Sequence, residues 1–491
     1  MRIERLVLDK VGCFDHLEMI FPEGKNPEKA DAHLIVGPNG SGKSTILMAV
    51  AQFFSMLPTG LEERFHGGHS FALLYLNNGL RAALAFEPTN PNQLPWEDGI
   101  RTTQDTPPLM IPRPMMSHHG VFFNPDLPEE EKPLERVDER VKGLCLFHPD
   151  TSKSILDLRA YRRQASDFRL SGHQHKDTRF HHLAFAYGGQ RSVEKNHMEG
   201  ILEQEEAPLL DACITPKPIG NQKTQPWIQW IANTWTKAAL AREEGDEAGR
   251  KRYRNAIERI EQIIRDITGR GFAFVMSHDP TIRVDVSLDG EILPIDVLPD
   301  GLKSLLSWIG DLLMRMDRVP WIDDTPLLER GFTLFLDEIE VHLHPAWQRK
   351  ILPVVQGLFP NAQIFVSTHS PFVIASVDDA WIHPLYLDDK GRGHAGEQLP
   401  AMVGNSYATV LRDVLGIEEE FAPKVDEALQ EFYRLRDSAL RRESEALVQL
   451  RTKGEELKAF GEEVWAIVVP EIRQVERRFQ QMDQQTLERV E

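Results

Sequence analysis

The stretch "GPNGSGKST", Gly37–Thr45, carries the densest chemistry in this 491-residue chain. It fits GxxxxGK[ST], with Gly37, Gly42, Lys43 and Ser44 in the fixed places. Glycines let a backbone turn its N–H groups inward around phosphate oxygens, so Gly37, Pro38, Asn39, Gly40, Ser41, Gly42, Lys43, Ser44 and Thr45 form a candidate phosphate cradle. Lys43 supplies a point charge for the β and γ phosphates, and the Ser44 hydroxyl can ligate Mg²⁺. A second constellation is "FLDEIE". Asp337 can orient Mg²⁺ through its water shell, and Glu338 can polarise an attacking water. The third is "FVSTHS", where His369 stands 32 residues after Asp337 and can hydrogen-bond a γ-phosphate. ATP with Mg²⁺ is the ligand such a set calls for.

Particular elements must position these groups. "AHLIVG" is a short apolar run ending in glycine, as expected of a buried strand before the phosphate loop. A helix from Lys43 to about Met56 places Ile46, Leu47, Val50, Phe53 and Phe54 on one stripe and points its positive end at the anion. "FTLFLDE" and "AQIFVSTHS" read as buried strands with the helix "PAWQRKILPVVQGLF" between them. "RIERLVLDKVGCFDHLEMIF" reads as two strands joined by a turn. "FALLYLNNGLRAALAFE" reads as a hairpin around Asn77–Gly79.

The remaining segments divide the chain. Residues 1–87 form an N-terminal ATPase lobe. Residues 88–180 are a proline-rich insertion with a short helix around 151–165. Residues 181–225 return to the core; "KGLCLFHP" (142–149) and "HHLAFAYGG" are both expected to be strands returning to the core, on either side of the 151–165 helix. Residues 226–269 are a helical insertion or arm, with "EEGDEAG" a possible turn. Residues 270–400 complete the ATPase lobe, and 401–491 are a helical C-terminal region.

Composition bounds the rest. The formal net charge of −19 argues against a protein that coats nucleic acid over its whole surface. Local basic stretches, "RAYRRQASDFR" and "RKRYR", leave a nucleic-acid groove open; each also suits a solvated helix face. No run of about 18 apolar residues predicts a membrane span. "MRIERLVLDK" reads as a strand rather than a signal peptide, so a cytoplasmic location is expected. Cys13, Cys145 and Cys213 lie far apart, which suits a reducing compartment. His342 and His344 could ligate metal, but no third ligand is apparent and a contact loop is preferred. The cluster His173, His175, His181 and His182 matches no common zinc spacing and reads as a solvated loop.

The order "GPNGSGKST", "LPDGLKS", "FLDEIEVHLHP", "FVSTHSP" resembles the ABC-type AAA family ATPases of the RecF, SMC and OLD kind. It is most like the ATPase subunit (PtuA) of Septu and retron-associated anti-phage systems. The resemblance covers residues 1–57 and roughly 270–385. It implies an α/β ABC-ATPase head: a mixed sheet around the phosphate loop with flanking helices, a helical insertion and a helical C-terminal tail. It implies that Lys43 and Ser44 hold phosphate and Mg²⁺, that Asp337 and Glu338 are the Walker B aspartate and catalytic base, and that His369 is the switch histidine. Gln190 in "AFAYGGQR" becomes the candidate glutamine of the loop after a central strand. Such heads bind ATP between two copies, which implies a homodimer or higher homo-oligomer.

The signature that closes a partner's site has two candidates. It must open a helix and lie one helix before the acidic strand. "LPDGLKSLL" does both, with Asp337 36 residues past Gly301, and offers Gly301 and Ser304 as contacts. "LSGHQ" at 170–174 does neither and is read as a decoy. Pro299 stands where the family has a serine, and Asp300 adds a negative charge close by, so slow hydrolysis is expected. "YLDDKGRG" places Asp388 and Asp389 in a turn, and the helical tail offers no DxD of a TOPRIM nuclease. The expected function is therefore a slow, nucleotide-gated scaffold for a separate effector, a nuclease by preference. The alternative is a RecF- or SMC-like ATPase that itself clamps DNA.

Overall fold

The computed structural model describes residues 1–54, 64, 70–77, 81–86, 116–117, 120–121, 144–147, 179–189, 201, 225–279, 281–401, 404–417, 421–441, 443 and 445–488. The expectations placed on Gln190, on residues 170–174, on the helix around 151–165 and on His173 and His175 lie outside the described residues. Two compact units are present, Met1–Val410 and Leu411–Glu491.

The first unit is α/β. Strands β1 (Ile3–Val11) and β2 (Phe14–Ile20) form the expected hairpin. The following strand, β3 (Asp31–Val36), is buried along nearly its whole length. Helix α1 (Lys43–Phe54) follows the phosphate loop, and its stripe Ile46, Leu47, Val50, Phe53 and Phe54 is fully buried. Next come β4 (Phe71–Leu76) and β5 (Arg81–Phe86), an antiparallel pair, a two-residue ladder of β6 (Met116–Ser117) with β7 (Gly120–Val121), then β8 (Leu144–Phe147) and β9 (Leu183–Tyr187). The two strands expected to return together part company. β9 joins the core sheet, whereas β8 pairs antiparallel with β5 in a separate sheet ordered β2-β1-β4-β5-β8. Both are short apolar runs, and nothing in their patterns distinguishes a core strand from a strand at a sheet edge.

Helices α2 (Pro226–Glu243) and α3 (Glu247–Thr268) make a hairpin whose turn falls within "EEGDEAG". Pro226 opens α2, the Asp246 carboxylate accepts the Gly249 N–H to cap α3, and Gly269 ends α3 at φ 70°. Both helices bury apolar faces: Trp227, Ile228 and Ile231 on α2, and Ile257, Ile260, Ile263, Ile264 and Ile267 on α3. Trp227 lies so close to Gly310 that a Cβ there would meet its ring at 3.0 Å.

A three-stranded sheet follows, β10 (Phe272–Ser277), β11 (Arg283–Leu288) and β12 (Glu291–Pro294), then α4 (Asp300–Arg318). The core is completed by β13 (Phe332–Leu336), α5 (Pro345–Leu358), β14 (Gln363–Thr368), α6 (Pro371–Ile374), β15 (Trp381–Leu387), β16 (Gly393–Ala395) and β17 (Leu399–Pro400).

The core sheet runs β16-β15-β3-β14-β13-β9, with β17 also on β15. From β15 to β9 every pairing is parallel. Parallel strands buried on both faces need continuous apolar runs, and "HLIV", "FTLFL" and "QIFVST" supply them. The direction has a chemical consequence: the phosphate loop, the acidic pair, "STHS" and "YGG" all emerge from the same edge, at the carboxyl ends of adjacent strands.

Helix α7 (Tyr407–Asp413) precedes the second unit's bundle of α8 (Pro423–Leu440), α9 (Ala446–Lys458) and α10 (Glu462–Glu488). Its core is Leu429, Phe432, Leu450, Leu457, Val464, Val468 and Val475. Val448 and Phe460 remain exposed on it, at 64% and 40%.

Candidate active site

The phosphate loop is built around its glycines. Gly42 has φ 94°, and a Cβ there would lie 2.3 Å from the Phe14 ring, so only glycine fits. Pro38, Asn39 and Gly40 form an exposed rim, while Gly37, Ser41 and Thr45 are buried. Lys43 is only 6% exposed, and its ammonium donates to the carbonyls of Gly37 (2.9 Å) and Pro38 (2.8 Å). Burial lowers its pKa, opposed by the charges of Asp337, Glu338 and Glu340. Arg64 donates to Thr45 Oγ1.

The acidic pair sits one strand over from β14 and two from β3. The Ser44 hydroxyl donates to Asp337 Oδ1 at 3.1 Å, and Ser367 Oγ donates to the same oxygen at 2.5 Å. Ser367 Oγ also accepts the Glu338 N–H at 2.8 Å. Glu338 has φ 48°, a strained conformation for a glutamate, held by these bonds on both sides. The Tyr187 carbonyl accepts the Asp337 N–H at 2.9 Å. Two residues on, Gly189 faces the Glu338 carboxylate so closely that a Cβ would meet Oε2 at 2.6 Å.

His369 is half-buried beside this group. Its backbone N–H donates to Glu340 Oε1 at 2.6 Å. Burial lowers its pKa, and the Lys43 charge lowers it further. The imidazole is thus neutral near pH 7 and can donate at one nitrogen and accept at the other. Ser370 caps α6 by accepting from Phe372 and Val373, and donates to Gln348 Oε1.

The site fits a nucleotide with its divalent ion. Glycine-shaped backbone, a lysine and a helix start converge on one rim. A serine hydroxyl and a carboxylate meet within hydrogen-bond distance beside it. Ser41 Oγ and Glu340 Oε2 are buried without hydrogen-bond partners among the described residues, polar capacity that a phosphate and its waters can take up.

Helix α4 opens as expected on "LPDGLKS". Pro299 is its N-cap, and no side chain caps the helix. Asp300 is 75% exposed at its side chain and pairs with Lys303 Nζ at 3.5 Å. Gly301 and Ser304 are buried within the chain. A Cβ on Gly301 would meet the His342 carbonyl at 2.7 Å, so the helix start packs directly on the loop after the acidic pair. His342 is exposed there with φ 63°. His344 caps α5, accepting the Ala346 N–H at Nδ1. His182 is half-buried and bonded to Thr333 Oγ1 at 3.0 Å, and its burial pushes its pKa down to about 3, while its neighbour His181 is exposed.

Tyr187, Gly189, Glu340 and Ser367 are the contributors that motif reading passed over. "YGG" at a strand end was the only local signal for the first two.

The fold is that of an α/β ATPase head, and the chain is similar to ABC-type AAA ATPases. Family models agree in outline: "AAA domain, putative AbiEii toxin, Type IV TA system" matches residues 223–375, and "AAA domain" matches residues 1–81. The chain is 23% identical over 412 residues to the Retron Ec83 probable ATPase of Escherichia coli, covering 77% of this chain and 70% of that one. It is 28% identical over 172 residues to the Septu protein PtuA of Bacillus thuringiensis, covering 34% of this chain and 42% of that one. An SMC head bound to the C-winged helix domain of ScpA is a distant structural likeness, with 14% identity, a TM-score of 0.41, and coverage of 82% and 98%.

Proposed function

We propose that the chain binds ATP with Mg²⁺ and hydrolyses it slowly, as a nucleotide-gated scaffold for a partner effector, a nuclease, in anti-phage defence. The observation that carries the chemistry is the meeting of Ser44, Asp337 and Ser367 beside Lys43 at one edge of a parallel sheet. Lys43 leaves its two loop carbonyls for the β and γ phosphates. Ser44 and Asp337 would hold Mg²⁺, which supplies positive charge against those phosphates when bound. Glu338 orients and deprotonates the attacking water, and His369 reports whether the γ-phosphate is present.

The start of α4 presents Pro299 and Asp300 to solvent, where a second copy would bring its nucleotide. The active form is then a homodimer or a higher homo-oligomer. The names of the two relatives support the defence setting. The second unit, with its own core and the exposed Val448 and Phe460, offers a place for the effector. Among the described residues no helix is long and apolar enough to cross a membrane.

Glu338→Gln should trap the ATP-bound assembly. Light scattering with ATP should then read at least twice the single-chain mass; a single-chain mass sinks the composite site. Co-purification with the products of neighbouring genes tests the effector. Salt-sensitive DNA binding with no partner would favour a DNA-clamping ATPase instead.

A further inference from the structure

We propose that Tyr187 and Asp311 are a positioning pair that ties helix α4 to the acidic pair of the same chain. The end of β9 touches both acids. Tyr187 lies opposite Leu336 in the β9–β13 register, and its carbonyl takes the Asp337 N–H at 2.9 Å. Gly189 walls the Glu338 carboxylate. The same tyrosine reaches the other way. Its hydroxyl donates to Asp311 Oδ2 at 2.9 Å, in the middle of α4. Arg315, one turn further along α4, holds Asp311 by an ion pair of 2.6 Å. Trp308 packs beside the Tyr187 ring, centroid to centroid 6.2 Å.

Helix α4 is therefore fastened to the catalytic edge at two points. Gly301 bears on the loop after Glu338, and Asp311 grips the strand end behind it. A shift of α4 cannot be absorbed at one point without moving the other, because both contacts are packed or hydrogen-bonded. On the ATPase reading above, on which this rests, whatever engages the exposed start of α4 repositions Asp337 and Glu338 through Tyr187. Neither residue belongs to the phosphate loop or the acidic pair, so their effect is expected on the chemical step rather than on binding.

The test uses the full chain and four variants: Tyr187→Phe, Asp311→Ala, the double variant and Asp311→Asn. Single-turnover measurements with the chain in excess over labelled ATP read slow hydrolysis, and ATP titration gives KM. Tyr187→Phe and Asp311→Ala should each lower the rate about ten-fold, with KM within about two-fold. The double variant should be no slower than either single one, since both break one link. Asp311→Asn, which keeps an acceptor oxygen, should recover most of the rate. Tyr187→Phe removes a single oxygen from a packed ring, so thermal melting should confirm an intact fold. Rates within two-fold of the parent overturn the proposal, as do losses that multiply in the double variant or fall on KM. A parent chain that binds no ATP overturns the ATPase reading itself, whereas a parent that turns over ATP beside unaffected variants overturns only the link.

Discussion

Gly189→Ala puts the catalytic assignment of Glu338 to a steric test. The added Cβ would lie 2.6 Å from Glu338 Oε2, whereas ordinary contact begins near 3.4 Å. The carboxylate must therefore retreat by about 0.8 Å. Its backbone cannot follow. The Glu338 N–H is fixed to Ser367 Oγ at 2.8 Å, and the next N–H, of Ile339, is bonded to the Ser367 carbonyl at 3.3 Å. The side chain must swing away from the position in which, on the proposed mechanism, it would orient the attacking water. A misplacement of about 1 Å at a reacting group costs on the order of 10²-fold, so kcat should fall roughly 30- to 100-fold, equivalent to about 2–3 kcal/mol of barrier. ATP affinity should hold, because Lys43 and Ser44 are bonded elsewhere. Phosphate release under single turnover, with a fluorescent ATP analogue to read binding, separates the two. A rate within three-fold of the parent would refute the placement of Glu338 against Gly189 in the working enzyme. Loss of binding instead of rate would refute its role in the chemical step.

Other consequences follow from the same geometry. Gly42→Ala should abolish ATP binding as fully as Lys43→Ala, since its Cβ would enter the Phe14 ring; calorimetric titration reads both. Gln363 bonds both backbone groups of Ile3 at 2.8 Å, so Gln363→Leu leaves a buried donor and acceptor unpaired and should cost about 2–4 kcal/mol in urea unfolding. The buried His33 and His383 and the half-buried His182 all have pKa values held below the ordinary 6.5, chiefly by burial. Facing the His33–His383 contact are Asp31 and Arg2. Each histidine stays neutral when folded and takes up a proton when unfolded, so stability is complete above about pH 6.5 and falls as pH drops below it. Melting temperatures should decline from pH 6.5 to 5, and His182→Leu should flatten that slope; a flat profile in the parent would contradict the burial of these rings.

The chemistry was legible in the sequence wherever it is local. A phosphate loop, an acidic strand end and "STHS" each follow a buried apolar run, and parallel pairing alone then brings them to one edge. The long-range contributors were not. Ser367 looks like any strand serine until β14 is set beside β13, where its hydroxyl serves both Asp337 and Glu338. Gly189 lies 149 residues before Glu338, and its value depends wholly on the β9–β13 register. The buried imidazoles were hidden for a related reason. His33 interrupts an apolar strand, and its partners Gln363 and His383 come from the two strands on either side of β3. A polar residue in such a run is satisfied only by its neighbours in the sheet, which no local pattern names.

The start of α4 shows how one local substitution can shape the whole machine. A helix N-terminus carries partial positive charge and welcomes an anion. Here Pro299 contributes no side-chain cap, and Asp300 already places a carboxylate at that end, steadied by Lys303. That carboxylate stabilises the helix of the single chain by the same attraction that would otherwise draw a phosphate. On the proposed reading, a γ-phosphate brought here by a second copy would meet like charge first, and would have to displace Asp300 or recruit Lys303 from it. Either route weakens closure relative to a serine at this end. On the proposed composite-site reading, weak closure would lower the share of time that Glu338 spends in an assembled site and so slow turnover without touching the phosphate loop. Such a site suits a device that reports nucleotide state to a partner better than one that performs mechanical work.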